Sequence, residues 1–400
     1  MQKKIDHARE VALNILKPTP AQLQHGLELH QHSLVWDAYS FSPNGRWQEE
    51  SLDQLSDCGA GRDELSDTAE YNHHVGFLQD PGRRQEFALA WRAAGVNCIF
   101  QNAGREGNQL SVLVRRLSHY TALCDRYPEL LRRAVWPEQV EAAARDGVPC
   151  ICPSSNGVPI RYQVEAEESL LDIQVLYSLG IRMMHLTYNR RNLIGDGCAE
   201  TSNSGLSDFG RQVVRRMNEL GVIPDIAHSG QQTSLEAALC SSKPVVASHS
   251  TAYAVNAHVR AKQDQTIRAI CDSGGYVGVC SIPPFLGGSG DIAMLLNHLE
   301  YLRNTFGAEH VAIGTDRGIL CGDGPSGGYK RPYRRIWESY WPEGGVDQGF
   351  VTTENMTDSL AWTNWPLLTV GMVQRGFSDD EIQKIIGGNV LRVCRATFGK

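Results

Sequence analysis

The sequence predicts an α/β fold, a closed (β/α)8 (TIM) barrel, and three observations carry that prediction. A unit of helix, glycine and short apolar strand recurs from about residue 90 onward. Eight strand-like apolar runs occur in all, and no G-x-G-x-x-G segment follows the first of them. Apolar strands alternating with helices describe a parallel sheet covered on both faces. Eight successive units favour closure into a barrel over an open doubly wound sheet, and the missing glycine motif weakens a dinucleotide-binding reading.

In chain order the runs are LVWDAY, VNCIF, VPCIC, IRMMHL, VIPDIA, PVVAS, GYVGVC and HVAIGT. Helices precede several of them and stop at Gly95, Gly147, Gly180 and Gly221, where glycine suits a left-handed cap. The N-terminal stretch MQKKIDHAREVALNILKPTP reads as an amphipathic helix ended by Pro18 and Pro20, without the apolar core of a signal peptide. Residues 44–80 and 322–350 are too long for βα connections and are expected to be excursions over the barrel mouth or at a subunit interface. The tail SDDEIQKIIGGNVLRVCRATFG reads as a closing helix pair, so residues 1–400 are expected to form a single barrel domain.

Composition bounds the function. A hydrophobic content of 42% with 21% charged residues suits a globular chain with a large core. A net charge of -7 and the lack of a Lys/Arg-rich run argue against nucleic acid as a partner. No apolar stretch approaches the ~20 residues that span a bilayer, so no membrane partner is expected and a cytoplasmic location is. The 11 cysteines are odd in number and several lie in apolar strands, as buried reduced thiols do. No paired CxxC points to structural zinc.

In a parallel barrel the active site lies at the C-terminal strand ends. His228 in DIAHSG and His249 in VASHSTAY each follow a strand directly, and two imidazoles from neighbouring strands can share one metal. Either histidine alone equally suits a hydrogen-bonded core position. Asp316 in VAIGTDRG suits a general acid/base. Arg260 in NAHVRAKQD suits a bidentate clamp on a substrate carboxylate, and Tyr188 a donor to a substrate carbonyl or phosphate. Cys198 has no basic neighbour in the sequence and reads as inert.

The segments HLTYNRRNLIGDG, GLSDFGRQVVRRMNELGVIPDIAHSG, ASHSTAYAVNAHVRAKQDQTIRAICDSGGYVGV, HVAIGTDRG and GGNVLRV resemble the membrane (renal) dipeptidase family of the amidohydrolase superfamily. The resemblance runs from about residue 130 to about residue 397. It implies a metallo-dependent hydrolase-like barrel, a small-molecule substrate and a homodimer. It also implies His228 and His249 as metal ligands, Arg260 at the substrate carboxylate and Asp316 as proton shuttle. The same resemblance exposes departures. Tyr39-Ser40-Phe41 stands where the family has a ligating HxD pair, Ser154 or Ser155 where it has a bridging Glu, and Tyr188 where it has a substrate-contacting His. Phenylalanine cannot ligate and serine is a poor zinc ligand.

Three readings follow. The first is a hydrolase of dipeptides or related amides with one divalent metal, zinc being the expected ion, on His228 and His249. Asp37, His185 or an excursion carboxylate would supply a third ligand, and Tyr188, Tyr39 and Arg260 would contact substrate. The second is a metal-free enzyme using His228, His249 and Asp316. The third is an inactive small-molecule-binding barrel.

Overall fold

The computed structural model describes residues 1–45, 49–103, 109–161, 168–322, 340–342 and 345–398. The eight apolar runs all contain strands: β1 Trp36–Ser40, β2 Cys98–Asn102, β3 Cys150–Ser155, β4 Met183–His185, β5 Ile223–Asp225, β6 Ala247–Ala252, β7 Val277–Val279 and β8 Val311–Ile313. Two further strands of two residues each, Arg132–Arg133 and Ala261–Lys262, add to the edges of β3 and β6.

Every ladder is parallel and each strand pairs with its neighbour in sequence from β1 to β5. The β5–β6 seam is a single bridge, Asp225 to Val246, with Ile226 N donating to Val246 O at 2.8 Å. Ladders then join β6 to β7 and β7 to β8. The last seam, between β8 and β1, is closed largely by a side chain. The Asp37 carboxylate accepts from Thr315 N at 2.9 Å and Thr315 Oγ1 at 2.6 Å, and Asp316 N donates to Tyr39 O at 2.9 Å. The indoles of Trp362 and Trp365 also donate to Asp37. Burial pushes the Asp37 carboxyl up to about 6 against the pull of these donors.

Side chains alternate along the strands as a barrel requires. Cys98, Phe100, Cys150, Cys152, Met183, Ile223 and Ala312 fill the interior together with Trp36. Ile99, Ile151, Val277, Val311 and Ile313 instead join the layer under the helices. Small thiols suit the crowded barrel axis, and every cysteine is free.

One irregularity positions the site. The β6–β7 register shifts between Ala247 and Ser250. There the Ser248 carbonyl projects so far inward that a Cβ on Gly278 or Gly314 would lie 2.0 or 1.9 Å from it. Two glycines on the facing strands make room for this bend, which aims the residue after it, His249, across the mouth.

Elsewhere the expectations meet refinements. The first helix, Gln2–Leu16, stops at Lys17 in the left-handed region, as expected before Pro18. Pro20, expected to end a helix, instead begins one: Pro20–Gln31 is capped by Thr19 and Gln22 in a reciprocal capping box. Residues 44–80 hold helices Glu49–Asp57 and Arg62–His74, and residues 323–339 and 343–344 of the second excursion lie outside the described residues. The tail is one run, not a pair. Helix Asp379–Gln383 passes through a π-turn at Lys384–Gly388 into Asn389–Thr397. Gly387 lies against the entry to β1, where a Cβ would meet Leu34 O at 2.2 Å. No helix among the described residues is long and apolar enough to cross a membrane.

Candidate active site

His185 ends β4, His228 follows β5 and His249 lies within β6, so three neighbouring strands deliver three buried imidazoles to one point. One nitrogen from each lies within 4.8 Å of the others. The Nε2 atoms of His228 and His249 are 2.9 Å apart.

The partners of the opposite ring nitrogens decide what that contact means. His228 Nδ1 lies 2.7 Å from Asn189 Oδ1, an acceptor, so Nδ1 carries the proton. His249 Nδ1 lies 2.8 Å from Ser248 Oγ, whose own proton is committed to the Asp225 carboxylate. His249 Nδ1 is therefore also protonated. Burial, followed by the positive field of Arg260, holds both rings well below the usual imidazole range, so neither carries a second proton. Two bare Nε2 lone pairs thus face one another.

Asp225 organises the underside. Its Oδ1 accepts from Ala227 N and Ser248 N, each at 3.0 Å. Its Oδ2 lies in close contact with His185 Nε2, at 2.7 Å, and His185 Nδ1 has no hydrogen-bond partner. Burial opposes the Asp225 charge, yet His185 and Ser248 beside it hold the carboxyl below its ordinary value.

Both tyrosines singled out in the sequence stack on this pair. Tyr39 lies on His249 with centroids 4.0 Å apart, and Tyr188 lies on His228 at 4.1 Å. The Tyr39 hydroxyl donates to Asn156, and Phe41 sits edge-on to Tyr39 at 5.9 Å. Ser154 Oγ is buried without a partner, while Ser155 Oγ donates to Gly157 O. The β1 and β3 strand ends therefore bring aromatic rings and hydroxyls toward the imidazoles, and the carboxylate within β1, Asp37, is engaged at the β8 seam.

Asp316, with φ 54°, stands at the end of β8, and its carboxylate makes no hydrogen bond among the described residues. Burial pushes it up to about 6, although Arg260 and Arg317 pull the other way. Arg260 is 1% exposed. It donates to Ala227 O at 3.3 Å and His249 O at 3.0 Å and lies over the Phe285 ring. Cys198 donates to Asn189 Oδ1, and burial raises its thiol, which leaves it a poor nucleophile.

Four contributors escaped the sequence reading: Asn189, Ser248, Asp225 and Lys262. The D-I-A-H spacing of Asp225 and His228 was visible, but its meaning depends on Ser248 arriving from the next strand. Lys262 is fully buried, its Nζ donating to Ser229 O at 2.7 Å and Ser234 Oγ at 3.1 Å, and burial lowers it to about 7.

Known proteins resemble this chain in the same terms. Dipeptidase tcpJ of Claviceps purpurea is 25% identical over 324 residues, covering 80% of this chain but only 64% of that protein. An uncharacterized dipeptidase of Schizosaccharomyces pombe is 28% identical over 336 residues, 81% of this chain and 71% of that one. The crystal structure of an amidohydrolase from Pseudomonas aeruginosa superposes with a TM-score of 0.70 at 24% identity, covering 94% of this chain and 99% of that one, which supports the barrel fold. The family model for membrane dipeptidase (peptidase family M19) matches residues 85–325, more than half the chain and the stretch that contains β2 to β8. With its strand-end histidines on that barrel, the chain belongs to the membrane dipeptidase family, peptidase family M19.

Proposed function

We propose that the protein hydrolyses the amide bond of a dipeptide or a similar small amino-acid derivative, using one divalent metal held by His185, His228 and His249. The observation that carries this reading is the pair of opposed Nε2 lone pairs 2.9 Å apart. Two neutral acceptors at that distance repel unless a cation lies between them, and burial disfavours a proton there. Nitrogens sharing one tetrahedral zinc are about 3.3 Å apart for bonds of about 2.0–2.1 Å, close to the separation found. His185, whose Nδ1 has no partner and which lies beside the other two rings, suits the third ligand. At the end of β1 Phe41 offers no lone pair and the Tyr39 hydroxyl is engaged by Asn156, which supports one ion instead of two.

A bound divalent ion supplies Lewis acidity, polarising the scissile carbonyl and acidifying an attacking water. The chain's own residues supply the rest. Arg260, immobilised by two backbone carbonyls, holds the substrate carboxylate through its remaining N–H groups. Asp316, unpartnered and facing the imidazoles, accepts the proton of the attacking water and returns it to the leaving amine. Tyr188 offers its hydroxyl to the carbonyl oxygen. Tyr39, whose own hydroxyl is engaged by Asn156, bounds the substrate with its ring.

Assembly as a homodimer in a reducing, cytoplasmic setting belongs to the same proposal. Leu171, Val175 and Leu179, spaced four apart and 61%, 45% and 40% exposed, form an apolar stripe suited to a partner, and free buried thiols suit the compartment.

Elemental analysis and zinc titration of the purified protein test the metal. One ion per chain is expected, lost in His228→Ala and His249→Ala. Uptake of no ion, or of two, overturns the reading. With metal loaded, Asp316→Asn is expected to reduce turnover of a dipeptide panel at least 100-fold. Equal activity of that variant would remove Asp316 from the chemistry.

A further inference from the structure

Three basic side chains at the barrel mouth, Arg260, Lys262 and Arg317, lack a carboxylate partner among the described residues. Arg260 is held by the carbonyls of Ala227 and His249, and Lys262 by Ser229 O and Ser234 Oγ. Arg317, half-buried beside Asp316, places Nε and one Nη on the single carbonyl of Ser281, at 3.1 and 2.8 Å. Among the described residues none of the three forms an ion pair. Neutral carbonyls replace the lost hydration of a guanidinium only in part, so a buried arginine held this way favours an anion at its open edge.

Arg260 and Arg317 both act on the Asp316 carboxylate. Arg260 arrives after β6 and Arg317 after β8. The Cys280 thiol, directly after β7, lies in the field of both and of Asp316. Phe285 and Trp341 pack with Cys280 as an apolar wall. Among the described residues the nearby carboxylates are too few to balance the charge. Asp225 is tied to Ser248 and His185, which leaves Asp316 alone between two guanidiniums. A ligand set of three neutral imidazoles would add the full charge of its ion to this excess.

We propose that the substrate carries two carboxylates, one on Arg260 and the second on Arg317, making it an amide of an acidic amino acid. One carboxylate would leave Arg317 uncompensated, whereas a diacid satisfies both arginines and still leaves Asp316 free to move a proton. The inference rests on the proposed role of Arg260 at a substrate carboxylate. It makes Arg317 a specificity residue contributed by the segment that follows the last strand.

Diacids that cannot be hydrolysed test this apart from catalysis. Binding of succinate, glutarate and adipate, each against its own monoamide, is measured by calorimetry on the zinc-loaded full-length protein. At least one diacid is expected to bind at least tenfold more tightly than its monoamide. The Arg317→Met variant is expected to lower that ratio at least tenfold, with Arg317→Lys intermediate. Equal affinities of every pair in the wild type, which needs no variant to fold, overturn the proposal. So does a folded Arg317→Met protein that keeps the wild-type ratio. Failure of all amide substrates to turn over, with the diacid preference present, would count against the hydrolase reading alone.

Discussion

Asn189 holds the Nδ1 proton of His228, and Ser248, committed to Asp225, holds that of His249. Both Nε2 atoms are thereby kept as lone pairs before any ligand arrives, and the orientation of a ligand imidazole is set by such outer partners. Asn189→Leu removes one of these acceptors without touching a ligand atom. Zinc affinity, read by chelator competition, is expected to fall roughly 10–100-fold, with the melting temperature changed far less. An unchanged affinity would mean that the tautomer of His228 is set elsewhere. His228, His249 and Asp316 were legible in the sequence because each follows an apolar run directly. His185 was one of several open candidates there. A polar residue just inside a strand end is indistinguishable from a core histidine until its partners are known.

The elements bring these residues together through close backbone approaches and a few ion pairs. Gly278 and Gly314 leave space for the Ser248 carbonyl, and that bend aims His249. Gly278→Ala forces β6 outward and is expected to cost about 2–3 kcal/mol of stability, since overpacking against backbone has no flexible escape. Thermal denaturation should show the loss and zinc titration a weakened site together. Lost stability with metal binding intact would sever the link between bend and histidine.

At the far side, Glu381 of the C-terminal helix pairs with Arg303 of helix Ile292–Phe306 through two contacts of 2.7 and 2.8 Å. The hydrogen bond from Arg303 holds the Glu381 carboxyl down, at about 2. Because this folded value lies below the ordinary one near 4.5, the contribution is present above that pH and is lost as pH falls toward 2. It is on the order of 1 kcal/mol for a pair in partial contact with water. Arg303→Met should therefore lower the melting temperature at pH 7 and converge with wild type near pH 2. A constant difference across that range would count against it.

For the whole molecule, Leu171, Val175 and Leu179 leave an exposed apolar stripe. Light scattering after size exclusion is expected to give twice the chain mass, and Leu171→Glu with Val175→Glu to give the monomer. A monomeric wild type would remove the dimer from the proposal.

The sequence by itself determined the barrel, its eight strands and the face on which chemistry can occur. Strand periodicity, glycine caps and helix alternation are local properties, and eight of them in order leave few closed arrangements. It also determined that Tyr39 and Phe41 stand at the end of β1, where phenylalanine cannot ligate. Only the tertiary structure decided that Asp37 closes the β8 seam, that Pro20 opens a helix, and that His185 joins the other two imidazoles. It alone set two lone pairs against each other and left Arg317 without an ion pair among the described residues. Those outcomes depend on which atoms of distant strands meet across the mouth, and pairings between residues far apart in sequence leave no periodic trace along the chain.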